Sequence, residues 1–265
     1  VDFEYDFAAG GGIDGVAESR IPVAYANQQG LGVVTLPLAT EGRNYMTDGQ
    51  GLAAMTELVQ VANAGMSVDD VAKVFQDHIA IGTTDIVPDS LAFDHIAGPA
   101  RFVRPDEIVI RRVPAGDPLY DDVEVIVAHF ESRSSSYGTP YVIHRVETPQ
   151  DAPYLDALIV NRRVLVPIIG EHALQQDPQS WGGINLVTLE EMNAAAIDAW
   201  SAAMPGYEIL PFDGPWMGGN ALHARTQGIP DRGMLAIHHV PLRGLVPSDD
   251  GFAIVTSVLN HSGEP

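Results

Sequence analysis

The stretch ALIVNRRVLVPI, residues 157–168, is apolar and rich in β-branched side chains, a composition typical of a β-strand. The same signal predicts further strands at residues 31–38, 106–113, 123–130, 139–147, 233–242 and 252–260. Helices are predicted at residues 50–63, 67–80 and 187–204. The strands mostly come in pairs before each helix, with a repeat of roughly 60 residues. This pattern predicts a mixed α/β fold that differs from a doubly wound sheet.

Two of the predicted helices carry a start signal. Ser67 stands before Asp69 and Asp70, which is an N-cap followed by acids in the first turn. Thr188 and Glu191 fit a capping box at the start of the third helix. The chain is 46% hydrophobic, enough for a sizeable core, and no change of composition divides it. One domain covering residues 1–265 is therefore predicted.

The charge of the chain is strongly negative. It has 35 acidic residues against 14 basic ones, which gives a formal net charge of −21. Such a surface repels phosphate backbones and anionic membranes, so nucleic-acid binding is not expected. A cationic partner would be attracted by the same field. No apolar run reaches the length of a membrane span.

Cysteine is absent from the chain. This excludes disulfides, thiolate zinc sites, iron–sulfur clusters and a cysteine nucleophile within these residues. His238 and His239 are adjacent on a predicted strand, so their side chains face opposite ways and are not expected to bind one metal ion. No metal and no cofactor is predicted.

Four segments contain residue types that could perform chemistry. They are VDFEYDF (1–7), EGRNYMTDGQG (41–51), DHIAGPARFV (94–103) and WMGGNALHARTQGIPD (216–231). Taken singly, each is more typical of a turn, a solvated acidic stretch or a glycine loop than of an active site. His95 is a candidate general base, and the more common role of a lone His is a structural hydrogen bond.

Taken in order, these segments resemble the catalytic domain of the bacterial, Porphyromonas-type peptidylarginine deiminases, whose relatives include the agmatine deiminases. The resemblance covers nearly the whole chain and also includes YGTPY at residues 137–141. It implies the pentein fold, a five-bladed α/β propeller built from ββαβ units. It also implies that the first blade is missing from this chain, because Asp2 matches a position well inside the family's domain.

The resemblance implies a covalent mechanism. In that family two carboxylates bind the planar guanidinium, and a cysteine thiolate attacks its carbon and expels ammonia with a His as acid and base. Water then hydrolyses the intermediate. Asp2 matches the first carboxylate, His95 matches the catalytic His, and Gly219 and Asn220 fall in the glycine loop that binds substrate.

Three mapped positions depart from the family pattern. Ala97 stands where the second carboxylate is expected, Ala224 where the nucleophile is expected, and Asp156 where the family has an active-site Asn. An alanine side chain can neither attack carbon nor accept a proton. The loss of a covalent nucleophile removes many orders of magnitude of rate.

Three interpretations of these departures stay open at this point. The first is a domain without deiminase activity that now has a binding or structural role. The second is a genuine arginine or agmatine deiminase inactivated by engineered alanines at positions 97 and 224. The third is a different hydrolytic chemistry through His95 and Asp156, for which the sequence supplies neither nucleophile nor metal.

The resemblance and the charge together suggest the partners. An arginine-containing peptide or a cationic protein is expected as ligand, and a separate chain could supply the missing N-terminal segment. An extracellular or cell-surface location is expected, with a cytoplasmic one left open.

Overall fold

The structure of the protein is a computed structural model. It describes residues 2–4, 20–40, 42–88, 93, 95–149, 152–176, 178, 186–216, 221–222, 226, 235–239 and 256–260. Within these residues the helices are α1 (Ile21–Gln29), α2 (Leu58–Ala62), α3 (Val68–Ile79), α4 (Tyr120–Glu131), α5 (Glu171–Gln176) and α6 (Leu186–Ala203). The first strands are β1 (Asp2–Glu4), β2 (Thr35–Ala39), β3 (Met46–Thr47), β4 (Leu52–Thr56), β5 (Thr83–Val87) and β6 (Ala100–Arg104). The later strands are β7 (Glu107–Arg112), β8 (Val142–Glu147), β9 (Leu158–Val160), β10 (Arg163–Ile168), β11 (Glu208–Asp213), β12 (Leu235–His239) and β13 (Thr256–Asn260).

Three sheets share one topology. Their strand orders are β3-β4-β5, β6-β7-β8 and β9-β10-β11. In each sheet the middle strand runs antiparallel to the strand before it and parallel to the strand after it. The parallel step is spanned by helices: α2 and α3 in the first sheet, α4 in the second, and α5 and α6 in the third. The prediction of ββαβ units is therefore confirmed for these three.

Two further strand pairs lie toward the ends of the chain. β1 and β2 pair in parallel with α1 between them in sequence, and β12 pairs with β13 in an antiparallel ladder. By its contacts the chain divides into two compact units, residues 1–225 and residues 226–265. The first unit contains β1 to β11 and the second contains β12 and β13. The prediction of a single domain over residues 1–265 stays a prediction.

The hydrophobic core forms where the helix of one ββαβ unit packs between its own sheet and the sheet of the preceding ββαβ unit. Helix α4 contributes Ile126 and Phe130 to a hydrophobic cluster that holds Ile108 of its own sheet together with Leu52 and Val87 of the preceding sheet. All five side chains are buried. Each unit therefore depends on its neighbour to cover one face of its helix.

Helices α3 and α6, in the other two ββαβ units, follow the same pattern. Phe75 of α3 packs with Leu36 and Leu38 of the preceding strand β2. Trp200 of α6 packs with Val146 of the preceding sheet, and its indole N–H donates to the Tyr154 carbonyl at 2.9 Å. Apolar surface is thus removed from water where each of these three helices meets the preceding strand or sheet, and such burial is the main stabilising term in folding.

The strand predicted at residues 123–130 is wrong, because these residues form most of helix α4. Val123, Ile126, Val127 and Phe130 recur at helical spacing, and all four are buried against the sheets. Asp121 and Asp122 occupy the first turn, where acids favour a helix. The β-branched composition favoured a strand, and the packing of the helical face prevails over it.

The helix predicted at residues 50–63 is correct only at its end. Residues 52–56 form strand β4, which is buried along its whole length, and helix α2 occupies residues 58–62. A strand buried on both faces is uniformly apolar and shows no alternation, so its periodicity cannot be distinguished from a helix.

Two other segments also differ from their prediction. The stretch 157–168 is a hairpin of two strands, because Asn161 and Arg162 take positive φ angles of 50° and 67° and reverse the chain. The residue types of the stretch PFDGP, residues 211–215, predict a turn, and this prediction is wrong in part, because residues 211–213 belong to β11. That strand lies at the edge of its sheet, where a proline is tolerated.

One of the two predicted helix caps is confirmed. Ser67 accepts a hydrogen bond from the Asp70 N–H at 3.2 Å, and the Asp70 carboxylate accepts one from the Ser67 N–H at 2.8 Å. The capping box predicted at Thr188 and Glu191 is wrong, because α6 already begins at Leu186 and Thr188 lies inside it.

This difference can be measured with two matched variants. We expect Ser67→Ala to lower the free energy of unfolding by about 1 kcal/mol, because the first turn of α3 loses its cap. Thr188→Ala should change it little or raise it slightly, because alanine is the better helix former at an exposed helical position. Urea denaturation measures both, and an equal loss in the two variants would contradict the start of α6.

Candidate functional site

A 3-10 turn at Gly42–Asn44 holds the loop that contains His95. The side-chain oxygen of Asn44 accepts a hydrogen bond from the backbone N–H of Ile96 at 3.2 Å. It also accepts from the N–H and from the hydroxyl of Thr56, each at 2.9 Å. Asn44 is buried, so these bonds are shielded from water. The sequence segments 41–51 and 94–103 are therefore in direct contact.

Backbone hydrogen bonds complete the shape of this loop. The N–H of Ala97 donates to the Arg43 carbonyl at 3.1 Å, and the His95 carbonyl accepts from the Gly98 N–H at 3.2 Å. The methyl group of Ala97 is buried, with 7% of the residue exposed, whereas His95 is half-buried. The loop therefore keeps its form without any polar side chain at position 97.

Arg111 packs beneath the same loop. Its guanidinium carbon lies 5.2 Å from the centre of the Phe93 ring, a cation–π distance. Its Nε donates to the Thr148 hydroxyl at 2.9 Å, and its backbone N–H donates to the Pro99 carbonyl at 2.9 Å. Arg111 thus links strand β7 to the residues on either side of His95.

Asp156 lies directly after a 3-10 turn at Pro153–Leu155 and is buried. Its Oδ1 is 3.8 Å from Nη2 of Arg101, and its Oδ2 accepts a short hydrogen bond from the backbone N–H of Ala221. Arg101 also donates through Nε to the Leu155 carbonyl at 3.0 Å. The carboxylate therefore joins β6 to the segment 216–231.

Burial lowers the pKa of the arginine in this pair. The pKa of Arg101 is lowered to about 10 by loss of solvation, and the negative charge of Asp156 opposes that shift. The guanidinium therefore stays charged at neutral pH. A charged arginine at this depth needs a carboxylate beside it, which is the role that Asp156 fills.

The start of the glycine-containing segment is packed into the core. Ala221 and Leu222 are buried in the same hydrophobic cluster as Trp216. The indole N–H of Trp216 donates to the Ile168 carbonyl at 2.9 Å. The segment is thus held on both sides, by Trp216 in the core and by Asp156 at the Ala221 amide.

Asp48, at the far end of segment 41–51, ties that segment to a second turn. Its Oδ1 accepts from the backbone N–H groups of Gln50 and Leu52 at 2.8 and 3.0 Å. Its Oδ2 accepts a short hydrogen bond from the Ser136 hydroxyl. Ser136 lies in the stretch RSSSYG, residues 133–138, whose serines and glycine predict a turn.

Several predicted site residues fall outside this description. Gly219, Asn220 and Ala224 lie outside the described residues. Asp2 is placed only as backbone, in strand β1 beside Thr35 of β2. Their predicted roles in guanidinium binding and catalysis stay predictions. Of the mapped residues, the structure brings His95, Ala97 and Asp156 into one connected framework through Asn44, Arg101 and Arg111.

Sequence reasoning did not single out Arg101 and Arg111. Both stand within apolar stretches that form β6 and β7, and both are buried. An arginine inside an apolar strand is a signal for a buried ion pair or hydrogen-bond network, because the charge cannot be buried alone. Asn44 and Asp48 lay in a noted segment but had no assigned role.

The described residues also bear on membrane-spanning segments and metal sites. No helix there is long and apolar enough to cross a membrane. In the same residues, no group of three or more His, Asp or Glu side chains is placed to hold a metal ion.

The fold is similar to that of solved deiminase structures. An agmatine deiminase of Enterococcus faecalis matches with a TM-score of 0.65 at 15% identity, over 79% of this chain and 62% of that chain. A protein of Porphyromonas gingivalis described as an arginine deiminase matches with a TM-score of 0.58 at 23% identity, over 74% of this chain and 59% of that chain. These likenesses show that the chain has the same mixed α/β fold as these structures.

Similarities to curated proteins and to a family profile also point to deiminases. Agmatine deiminases of Pseudomonas putida and Ectopseudomonas mendocina are 26% identical over 117 residues, which is 41% of this chain and 32% of each relative. The chain thus aligns with about a third of their length. The profile of the Porphyromonas-type peptidyl-arginine deiminases matches residues 1–230. The chain belongs to this family, whose members are deiminases that act on guanidino groups.

The role of Asp156 can be tested by removing its charge. We expect Asp156→Asn to lower the free energy of unfolding by about 3 kcal/mol, because Arg101 is left buried without a counter-charge. Hydrogen exchange of the Ala221 amide should also become faster. Asp198→Asn, on the exposed face of α6, is the control and should change stability by less than about 0.5 kcal/mol. Equal effects in the two variants would show that the buried contact is not important.

Proposed function

We propose that this chain is a pentein domain that has lost deiminase chemistry and now serves in binding. The observation that carries the proposal is the absence of cysteine from all 265 residues. In the family that it resembles, the reaction begins with attack of a cysteine thiolate on the guanidinium carbon. The position that matches this nucleophile is Ala224, which has no atom able to attack.

The environment of position 97 supports the same conclusion. A guanidinium bound by two carboxylates is held in a planar, bidentate geometry. Ala97 offers only a buried methyl group, and the surrounding loop is closed by backbone hydrogen bonds. A substrate guanidinium would keep at most one of its two carboxylate partners, which weakens binding by several kcal/mol, roughly 3–5.

The contacts of Asp156 argue against a different hydrolytic chemistry. A general base needs a lone pair that can receive a proton from water or substrate. The Asp156 carboxylate already faces the Arg101 guanidinium and accepts the Ala221 N–H. We infer that its role is structural, and that it holds the glycine segment against the core.

We also propose that the fold is the five-bladed propeller of ββαβ units. Three complete units with identical strand order support this proposal. The parallel pair β1–β2 and the antiparallel pair β12–β13 have the connectivities of the later and earlier parts of such a unit.

A second candidate function is an active deiminase whose site carries engineered alanines. Both Ala97 and Ala224 are the residue that experimenters use to disable a site. A structural observation favours this reading too: within the described part of the chain, Nδ2 of Asn44 is buried and has no hydrogen-bond partner. Asn44 contacts the adjacent Ile96 N–H, so its amide is suited to donate to a carboxylate at position 97.

Restoring the carboxylate at position 97 and the thiol at position 224 distinguishes a domain without deiminase activity from a disabled deiminase. We expect the double variant Ala97→Asp with Ala224→Cys to release no more ammonia from agmatine or from an arginine peptide than a matched control. The control, Ala97→Asn with Ala224→Ser, has similar shape without the carboxylate and the thiol. Both variants should first be shown to be folded by circular dichroism.

The opposite result has a clear meaning. If the restored variant produces ammonia and ureido product far above the control, the loss of chemistry lies in two substitutions and the second candidate is correct. Ala224→Cys alone avoids burial of a new charge at position 97. It should also be inactive if the first proposal holds.

We further propose that the ligand of this domain is an arginine-containing peptide or a cationic protein, met at the cell surface or outside the cell. The formal net charge of −21 supports this, because it attracts cations over distances of a Debye length.

This partner class has its own test. An arginine-rich peptide should bind in isothermal titration calorimetry, and its affinity should fall steeply as salt shortens the Debye length from about 30 Å to about 3 Å. The same peptide with glutamine in place of arginine is the control. Equal binding of the two peptides would contradict the proposal, and tighter binding of arginine than of lysine peptides would point to recognition of the guanidinium.

A further inference from the structure

A cleft of about 400 Å3 opens between helix α4 and the ends of strands β7 and β8. Tyr120 at the start of α4 lines one side, and Arg112 and Glu147 at the ends of the two strands line the other. The carboxyl ends of parallel strands beside a helix start are a common place for small ligands in α/β proteins. Nothing in the proposed function uses this cleft.

One wall of the cleft is a fixed ion pair. Arg145 donates to the Glu124 carboxylate at 2.7 Å and to the Arg111 carbonyl at 3.0 Å. Its charge is therefore balanced, and three acceptor oxygens set its position, namely both carboxylate oxygens of Glu124 and the carbonyl oxygen of Arg111. Arg145 and Glu124 therefore form one wall of the cleft, and their charges are satisfied by each other and not by a ligand.

The two remaining charged residues that line the cleft are Arg112 and Glu147. Arg112 and Glu147 stand side by side in the register of the parallel ladder. Both are exposed, and neither side chain makes a hydrogen bond or an ion pair in the described part of the chain. The cleft therefore offers one free guanidinium and one free carboxylate on adjacent strands, which are about 4.8 Å apart.

We propose that this cleft binds a small α-amino acid in its zwitterionic form. Arg112 binds the carboxylate through its fork of N–H donors, and Glu147 accepts hydrogen bonds from the ammonium group. An amino acid carries both groups on one carbon, which matches the close spacing of the two strands. Val113 adds apolar lining that suits a short aliphatic side chain.

The charge arrangement excludes simpler ligands. An anion such as a carboxylate would meet Arg112 but would be repelled by Glu147 beside it. An amine would meet Glu147 but would be repelled by Arg112. Only a molecule with both charges is attracted by both side chains.

Chemical-shift titration of the isotope-labelled full chain tests the proposal. L-alanine should shift the backbone amide signals of Val113, Tyr120 and Glu147 in a saturable manner. Propionate and ethylamine, which each keep one of its two charges, should bind at least about tenfold more weakly, because one charge-assisted hydrogen-bonding group is lost.

Variants separate the two contacts. Arg112→Gln and Glu147→Gln should each weaken alanine binding by about tenfold or more. Arg162→Gln and Glu190→Gln, exposed residues outside the cleft, are the matched controls and should bind alanine like the unaltered protein. Because all four positions are exposed, the fold should be retained in each variant.

Three results would overturn the proposal. These are the absence of any saturable shift at the cleft, propionate or ethylamine binding as tightly as alanine, and an equal effect of cleft and control variants. None of these outcomes depends on whether the domain has deiminase activity.

Discussion

The buried contact between Arg101 and Asp156 joins the parts of the molecule on which the candidate site depends. Arg101 belongs to β6, directly after the His95 loop, and Asp156 follows β8 through a 3-10 turn. The same carboxylate accepts the N–H of Ala221 in the segment 216–231. Loss of either charge would leave the other in an apolar interior, where it is not compensated by water. Three distant segments are therefore held in one arrangement by two side chains.

This arrangement does not require catalytic chemistry. The His95 loop is positioned by Asn44, Arg111 and backbone hydrogen bonds, none of which needs a carboxylate at position 97. Helices α3, α4 and α6 each pack against the preceding strand or sheet as well as their own sheet, so much of the stabilising burial is shared between consecutive ββαβ units. A domain built in this way can lose a nucleophile and a substrate carboxylate and still keep its fold.

The sequence predicts the parts of the structure that rest on local signals. The Ser67 cap and the order of paired strands before helices are local, and both are present. The errors arise where tertiary packing decides. Residues 123–130 have the composition of a strand but bury one helical face, and residues 52–56 are apolar on both faces and show no period. The connection between Asp156 and Ala221 joins residues 65 positions apart, so no spacing rule could predict it.

The placement of the basic side chains, together with the strong acidity of the chain, affects which ligands can approach the cleft. Arg101 and Arg111 are buried, and Arg104, Arg145 and Arg163 each contact a glutamate at 2.7 or 2.8 Å. Five of the 14 basic residues are thus buried or paired with a glutamate, and the net charge of −21 disfavours the approach of anions. A ligand carboxylate can then approach Arg112 with little penalty only if the ligand also carries a positive charge. The overall field therefore disfavours an anionic ligand in this cleft, and the pair formed by Arg112 and Glu147 favours a molecule that carries both charges.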